Sequence, residues 1–189
     1  MPTKEFLKDC IRSEVYLMNG ASSSPPLLTK LYLRYVKPET NAVYLIRKFL
    51  YHIGNGSGKA GKIHRLYARY YGVKLLRRYG IFLADECSIG RGLSIRHPHG
   101  IFVTNAEIGE NFTVYQNCTI GRKDKDTFTE RGYVHIGNNV TMYSGSTIVG
   151  NAPITDNVTL GAGTVMVKGA SKPGFYVGNP AKYIKGIED

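Results

Sequence analysis

Residues Ile136–Met166 read IGNNVTMYSGSTIVGNAPITDNVTLGAGTVM. An aliphatic or methionine side chain recurs at every sixth position: Ile136, Met142, Ile148, Ile154, Leu160 and Met166. Small or apolar residues follow four places after each (Val140, Ser146, Ala152, Val158, Thr164, Ala170), and Asn and Gly crowd the positions between. A period of six matches neither the helical repeat nor the two-residue alternation of an ordinary strand. It predicts a solenoid in which six residues make one short strand and one turn, and three such units close a triangular coil. Each coil buries its aliphatic residues in a central column and pairs its backbone with the coils above and below. Gly and Asn at the corners tolerate left-handed turn dihedrals.

The same period extends toward the N-terminus through Ile108, Val114, Ile120 and, before them, Ile89, Ile95, Ile101. The register slips twice. The seven-residue step from Ile101 to Ile108 predicts a one-residue bulge. The sixteen-residue step from Ile120 to Ile136 contains Arg122–His135 (RKDKDTFTERGYVH), a polar stretch without the period, expected to project as a loop. The expected fold class is mainly β: a left-handed parallel β-helix of about five hexapeptide coils over residues 81–189, preceded by a small helical domain over residues 1–80.

That first part is helical in pattern. Phe6, Leu7, Cys10, Ile11, Val15 and Met18 recur at helical spacing over residues 3–18, and Asn19-Gly20 ends the run. Ala21–Pro26 is a linker. Leu27–Val36 and Asn41–Ile53 predict two helices separated at Lys37-Pro38. Gly54–Gly61 is a loop, Lys62–Tyr71 a fourth helix, and Gly72–Gly80 a short basic connector.

Charge divides the chain at the same place. Residues 1–80 hold 15 Lys/Arg against four Asp/Glu, whereas residues 81–189 hold ten of each, so the whole net charge of +11 sits in the helical part. The basic residues there stand among Tyr44, Tyr51, Tyr67, Tyr70, Tyr71 and Tyr79. They predict either a solvated cap or a surface for the anionic inner membrane leaflet or a membrane-bound glycan diphosphate. No nucleic-acid module is recognisable, so nucleic acid is not an expected partner. The N-terminus lacks an apolar signal core, and Cys10, Cys87 and Cys118 form no disulfide framework. The expectation is a cytoplasmic protein, peripheral to the inner membrane face where the basic helices serve as such a surface.

Three stretches carry a family resemblance: Ile95–Val103 (IRHPHGIFV), Val114–Gly121 (VYQNCTIG) and Val177–Ile184 (VGNPAKYI). Over about residues 81–187 the chain resembles the serine acetyltransferase family, and more closely its relatives that O-acetylate bacterial capsular and exopolysaccharide sugars. The resemblance implies an acetyl-CoA-dependent O-acetyltransferase, working as a homotrimer with clefts between neighbouring prisms. His97 matches the family's catalytic histidine, with His99 as its rival. A neutral imidazole near physiological pH takes the proton of an attacking alcohol. Gln116 or Asn117 is a candidate to stabilise the oxyanion. The positions implied for CoA are Ser144, Gly145, Gly161, Ala162 and Lys182, the lysine meeting phosphate as a point charge. Arg96, Asn117, Lys123 and Arg131 are the candidate acceptor contacts. His99, four places after Ile95, is expected to face inward.

The departures from serine acetyltransferases are specific. The Asp that directly precedes the family's catalytic histidine is Arg96 here, the orienting Asp fifteen positions upstream is Phe82, and the loop histidine is absent near Gly132 and Tyr133. A cation at position 96 repels a serine ammonium. The expected acceptor is therefore a sugar hydroxyl of a bacterial surface polysaccharide or its precursor. Serine O-acetylation in cysteine synthesis is the alternative, and a non-catalytic scaffold a further one.

Three motifs admit other readings that are set aside. Gly56–Lys62 (GSGKAGK) begins like a P-loop, but Ile63 follows where a hydroxyl must bind Mg²⁺. His97-Pro98-His99 has no third ligand at useful spacing, so no metal is expected. The Asn-x-Thr triplets at Asn111, Asn117, Asn139 and Asn157 follow from repeat composition.

Overall fold

The computed structural model describes residues 2–58, 60–121, 134–150 and 153–185. The chain forms two compact units, Met1–Ile81 and Phe82–Asp189.

The first unit is helical. Helix α1 (Lys4–Cys10) starts under Thr3, whose hydroxyl accepts the Phe6 N–H at 3.0 Å, and runs on in wider turns through Tyr16 before stopping at Gly20 in the left-handed region. Helix α2 (Leu27–Leu31) likewise continues to Val36. Helix α3 (Pro38–Gly54) has its proline at the first helical position, where a missing N–H costs nothing. It is buried on nearly every side. Its Arg47 makes a two-pronged ion pair with Glu14 (2.5 and 2.7 Å), and its Asn41 accepts from the Tyr79 hydroxyl at 2.8 Å. Helix α4 runs from Gly61 to Tyr79, with Gly80 as its left-handed cap. The basic connector expected over Gly72–Gly80 is thus helix. Gly72 lies within this helix beside the Phe49 ring, where an added Cβ would make only ordinary contact at 3.4 Å, so the glycine breaks nothing.

The second unit is a three-sided coil. Successive strands and bridges visit three faces in turn, and all pairings are parallel except the last. The first face stacks Phe82–Leu83, Phe102–Val103, Thr119–Gly121, Thr147–Val149 and Val165–Met166. The second stacks Ser88–Ile89, Ala106–Ile108 and Val134–Ile136, continued by bridges at Ile154 and Ala170. The third stacks Ser94–Ile95, Thr113–Val114, Thr141–Met142, Val158–Leu160 and Gly174–Val177, closed by the antiparallel Lys182–Lys185. The six-residue period is the distance from one inward side chain to the next around the coil. Those side chains form the buried column, each contributing about 1.5–3 kcal/mol by leaving water.

The corners explain the composition. Asn111, Asn117, Asn139 and Asn157, the four asparagines of the Asn-x-Thr triplets, are the described non-glycine residues with positive φ, all between 56° and 58°. Three of them form a side-chain ladder, Asn111 Nδ2 to Asn139 Oδ1 and Asn139 Nδ2 to Asn157 Oδ1, each 3.0 Å. Each asparagine bonds the coil above or below while holding a turn that other side chains resist.

One register expectation is corrected. The inward residue stacked on Ile120 is Val103, not Ile101. The turn from Ile95 to Val103 therefore spans eight positions, against six for the turn from Val114 to Ile120 below it. Two extra residues sit at Arg96–Gly100, before Ile101, and the next step, from Val103 to Ile108, is one short at five positions. Counting six from Ile95 selects Ile101, which is buried too.

Candidate active site

The extra residues at this corner make a bulge that carries both histidines. Pro98 is buried and anchors it, while His97 and His99 are exposed on either side. The expected inward orientation of His99 is overturned, because the two-residue insertion shifts it off the inward position. The bulge is pinned at its base. The Arg96 N–H donates to the Val114 carbonyl (3.1 Å), the His99 N–H to the His97 carbonyl (2.9 Å), and the Asn117 N–H to the His99 carbonyl (2.8 Å). Asn117 itself is an exposed corner residue with φ 58°.

Register places the remaining candidates on one edge. One step past the inward residues of the third face come Arg96, Tyr115, Tyr143 and Gly161. Two steps past come His97, Gln116, Ser144 and Ala162. Gly145 follows, its N–H donating to the Gln116 carbonyl at 3.0 Å, and the Gly163 N–H donates to Ser144. The row of Arg96 continues to Val177, whose antiparallel partner is Lys182. Four inter-coil steps and the closing step from Val177 to Lys182, about 4.8 Å each, make this edge roughly 24 Å long. His97 stands at one end and Lys182 at the other, with small residues between. Arg96 is exposed at the head of its row. Lys123 and Arg131 lie outside the described residues.

Two side chains on this edge escape the sequence reading. Tyr115 meets His97 edge-on, with ring centroids 6.0 Å apart, and stacks on Tyr143 at 4.9 Å. Their signal was present: both directly follow an inward residue, as Arg96 and Gly161 do. Gln116 is the other notable group. Its Oε1 is buried and has no hydrogen-bond partner among the described residues. A buried acceptor without a donor is costly unless a ligand supplies one.

Cys118 offers no competing nucleophile. It points into the column, its thiol within 3.5 Å of the Ser146 hydroxyl and donating to the Tyr143 carbonyl at 3.2 Å, and burial pushes its pKa up. Ser146 is fully buried beside it. The position of the family's orienting Asp is Phe82, which stacks on Phe102 at 6.2 Å on the first face. The His97 ring makes no hydrogen bond with the described residues. Among them, no three His, Cys, Asp or Glu side chains converge as a metal would require.

This chain is similar to serine acetyltransferases. The serine acetyltransferase of Staphylococcus epidermidis strain RP62A is 33% identical over 132 residues, covering 65% of this chain and 60% of the relative. That of Staphylococcus xylosus is 36% identical over 109 residues, 56% and 49% of the two chains. The chain thus spans about half to three-fifths of the curated relatives it matches. No protein-family model matches it. Among solved structures, the serine acetyltransferase of Neisseria gonorrhoeae superposes with a TM-score of 0.77 at 20% identity, over 99% of this chain and 69% of that one. The Brucella abortus serine acetyltransferase in complex with coenzyme A gives 0.72 at 20%, over 96% and 68%. At such identities these structures share the fold with this chain.

The sugar-acceptor expectation is corrected by these relatives, which are serine acetyltransferases. Arg96 does not exclude serine. An exposed guanidinium is screened by water and salt. Serine is also a zwitterion, so a cation that repels its ammonium attracts its carboxylate.

Proposed function

We propose that this chain transfers the acetyl group of acetyl-CoA to the hydroxyl of serine, releasing O-acetylserine and free CoA. The observation that carries the reading is the corner bulge, which exposes His97 at the head of a small-residue edge, in a chain similar to serine acetyltransferases. His97 acts as general base. It takes the hydroxyl proton as the serine oxygen attacks the thioester carbonyl carbon. The tetrahedral intermediate then collapses, the carbon–sulfur bond breaks, and the imidazolium returns the proton to the departing thiolate. Transfer is direct, since the one cysteine near this edge, Cys118, is buried with a raised pKa.

CoA lies along the edge past Ser144, Gly145, Gly161 and Ala162, where small side chains admit the pantetheine arm close to backbone. Lys182 meets phosphate at the far end. Gln116 brings an unpaired Oε1 that accepts an N–H from pantetheine amide or serine ammonium, while its amide NH2 is the candidate donor to the oxyanion. Arg96 faces the serine carboxylate. Phe82 cannot orient the imidazole as a carboxylate would, and the Tyr115 ring edge takes over part of that positioning. We further infer left-handed winding, supported by the six-residue period and by the solved neighbours. We also infer a homotrimer, supported by the exposed Phe82–Phe102 pair beside the His97 corner, an apolar patch suited to a neighbouring prism.

The test is thiol release from acetyl-CoA with an acceptor panel. Free CoA forming with L-serine supports the reading. Release with sugars but not serine, or with no acceptor at all, contradicts it.

A further inference from the structure

Helix α4 leaves an apolar stripe unpartnered. Ile63 and Leu66 are 61% and 69% exposed, and Tyr67, Tyr70, Val73 and Leu76 are exposed as well. Their spacing of three and four residues keeps them on one side of the helix. The opposite side is used for packing, with Ala68, Leu75 and Tyr79 buried. An open groove on the exposed side is lined by Leu66, Tyr70 and Val73 with Arg69, Lys74 and Arg77. The Lys74 ammonium stands 5.7 Å from the centre of the Tyr70 ring.

Charge selects the occupant. Helix α4 carries six Lys/Arg, and no Asp or Glu occurs anywhere between Glu39 and Asp85. A second copy of this helix would bring six cations against six with no carboxylate between them. A nucleic-acid backbone would match the charge but has no use for exposed Ile63, Leu66 and Val73. A surface that combines anionic headgroups with an apolar layer just beneath them satisfies both sets of residues. Basic amphipathic helices with aliphatic and tyrosine side chains on one face suit that boundary.

We propose that α4 docks on an anionic lipid surface, its aliphatic and tyrosine side chains entering the headgroup boundary and its arginines and lysines pairing with lipid phosphate. The helix lies in the plane of the surface. None of the described helices is long and apolar enough to cross a membrane. The proposal is independent of the acyl-transfer reading.

Co-sedimentation of the full chain with vesicles tests it. Vesicles of phosphatidylcholine with one-third phosphatidylglycerol are expected to bind at least roughly tenfold more protein than pure phosphatidylcholine, with binding falling as salt rises. The double variant Leu66→Ser/Val73→Ser changes only exposed side chains and is expected to lose most of the anionic-vesicle binding. The triple variant Arg69→Gln/Arg77→Gln/Arg78→Gln should abolish the preference for anionic lipid. Equal partitioning of the unmodified chain to both vesicle types, which needs no variant to fold, would overturn the proposal. So would anionic-vesicle binding that Leu66→Ser/Val73→Ser leaves intact while short duplex DNA competes it away. An assembly in solution that the double variant breaks apart, without vesicle binding by the unmodified chain, would assign the stripe to a second copy and likewise overturn it.

Discussion

The His97 and Tyr115 rings meet in an edge-to-face arrangement, centroids 6.0 Å apart with 62° between the planes, and Tyr115 in turn stacks on Tyr143 one coil further on. An exposed imidazole is thereby braced by a tyrosine that is itself held from below. Such edge-to-face pairs contribute about 0.5–1.5 kcal/mol beyond simple burial. Removing the brace with Tyr115→Ala is expected to lower kcat/KM by up to about tenfold, corresponding to that energy. Tyr115→Phe keeps the ring and should retain most of the activity. Steady-state kinetics with acetyl-CoA and serine separates the two. Equal losses in both variants would point to the hydroxyl rather than the ring.

The asparagine ladder predicts a stability effect away from the site. Asn139 holds φ 56° and bonds both Asn111 and Asn157. Asn139→Gly keeps the backbone conformation and loses the bonds, an expected cost of about 1 kcal/mol. Asn139→Ala also places a Cβ in the left-handed region, for a total of about 2–3 kcal/mol. Urea midpoints give the comparison. Equal midpoints for the two variants would mean that the backbone conformation contributes nothing.

A pH effect follows from the first unit. His52 shares a 3.1 Å contact between Nδ1 atoms with His64 and stacks on Tyr67 and Tyr71. Burial, then the neighbouring His64 and Lys48, lowers its pKa to about 4. In the unfolded chain the same ring titrates near 6.5. Between those values the unfolded state takes up a proton that the folded state refuses, so stability falls as pH drops from about 6.5 to 4. Thermal midpoints measured across that window should fall less steeply for His52→Phe than for the unmodified chain. Parallel slopes would remove His52 from the effect.

Much of the coil was legible because its period is imposed by geometry. A side chain that must point into the column every sixth residue leaves its mark at Ile136, Met142 and Ile148 whatever the function. Glycines and asparagines at the corners answer the same demand. The bulge was misplaced for a physical reason: counting six from Ile95 selects Ile101, which is itself buried, and only the strand pairing shows that Val103 stacks on Ile120. Gly72 misled because glycine is a poor helix former by propensity, whereas the packing of α4 carries the helix straight through it. At the site, His97 was legible through the His-Pro-His segment, and the small residues of the edge through their repeat positions. Tyr115 and Tyr143 carry no period of their own, and only the stacking of the coils brings them beside His97. The acceptor was misread because Arg96 was treated as a fixed charge beside the substrate, when it is a long side chain exposed to solvent.

The central claim is that His97 removes the proton from the attacking hydroxyl. Its most direct test is turnover of His97→Ala with acetyl-CoA and serine, alongside CoA affinity measured by calorimetry. The account predicts that kcat falls by at least roughly a hundredfold while CoA binds as before. A near-normal kcat with unchanged CoA affinity would contradict it and move the chemistry to another group.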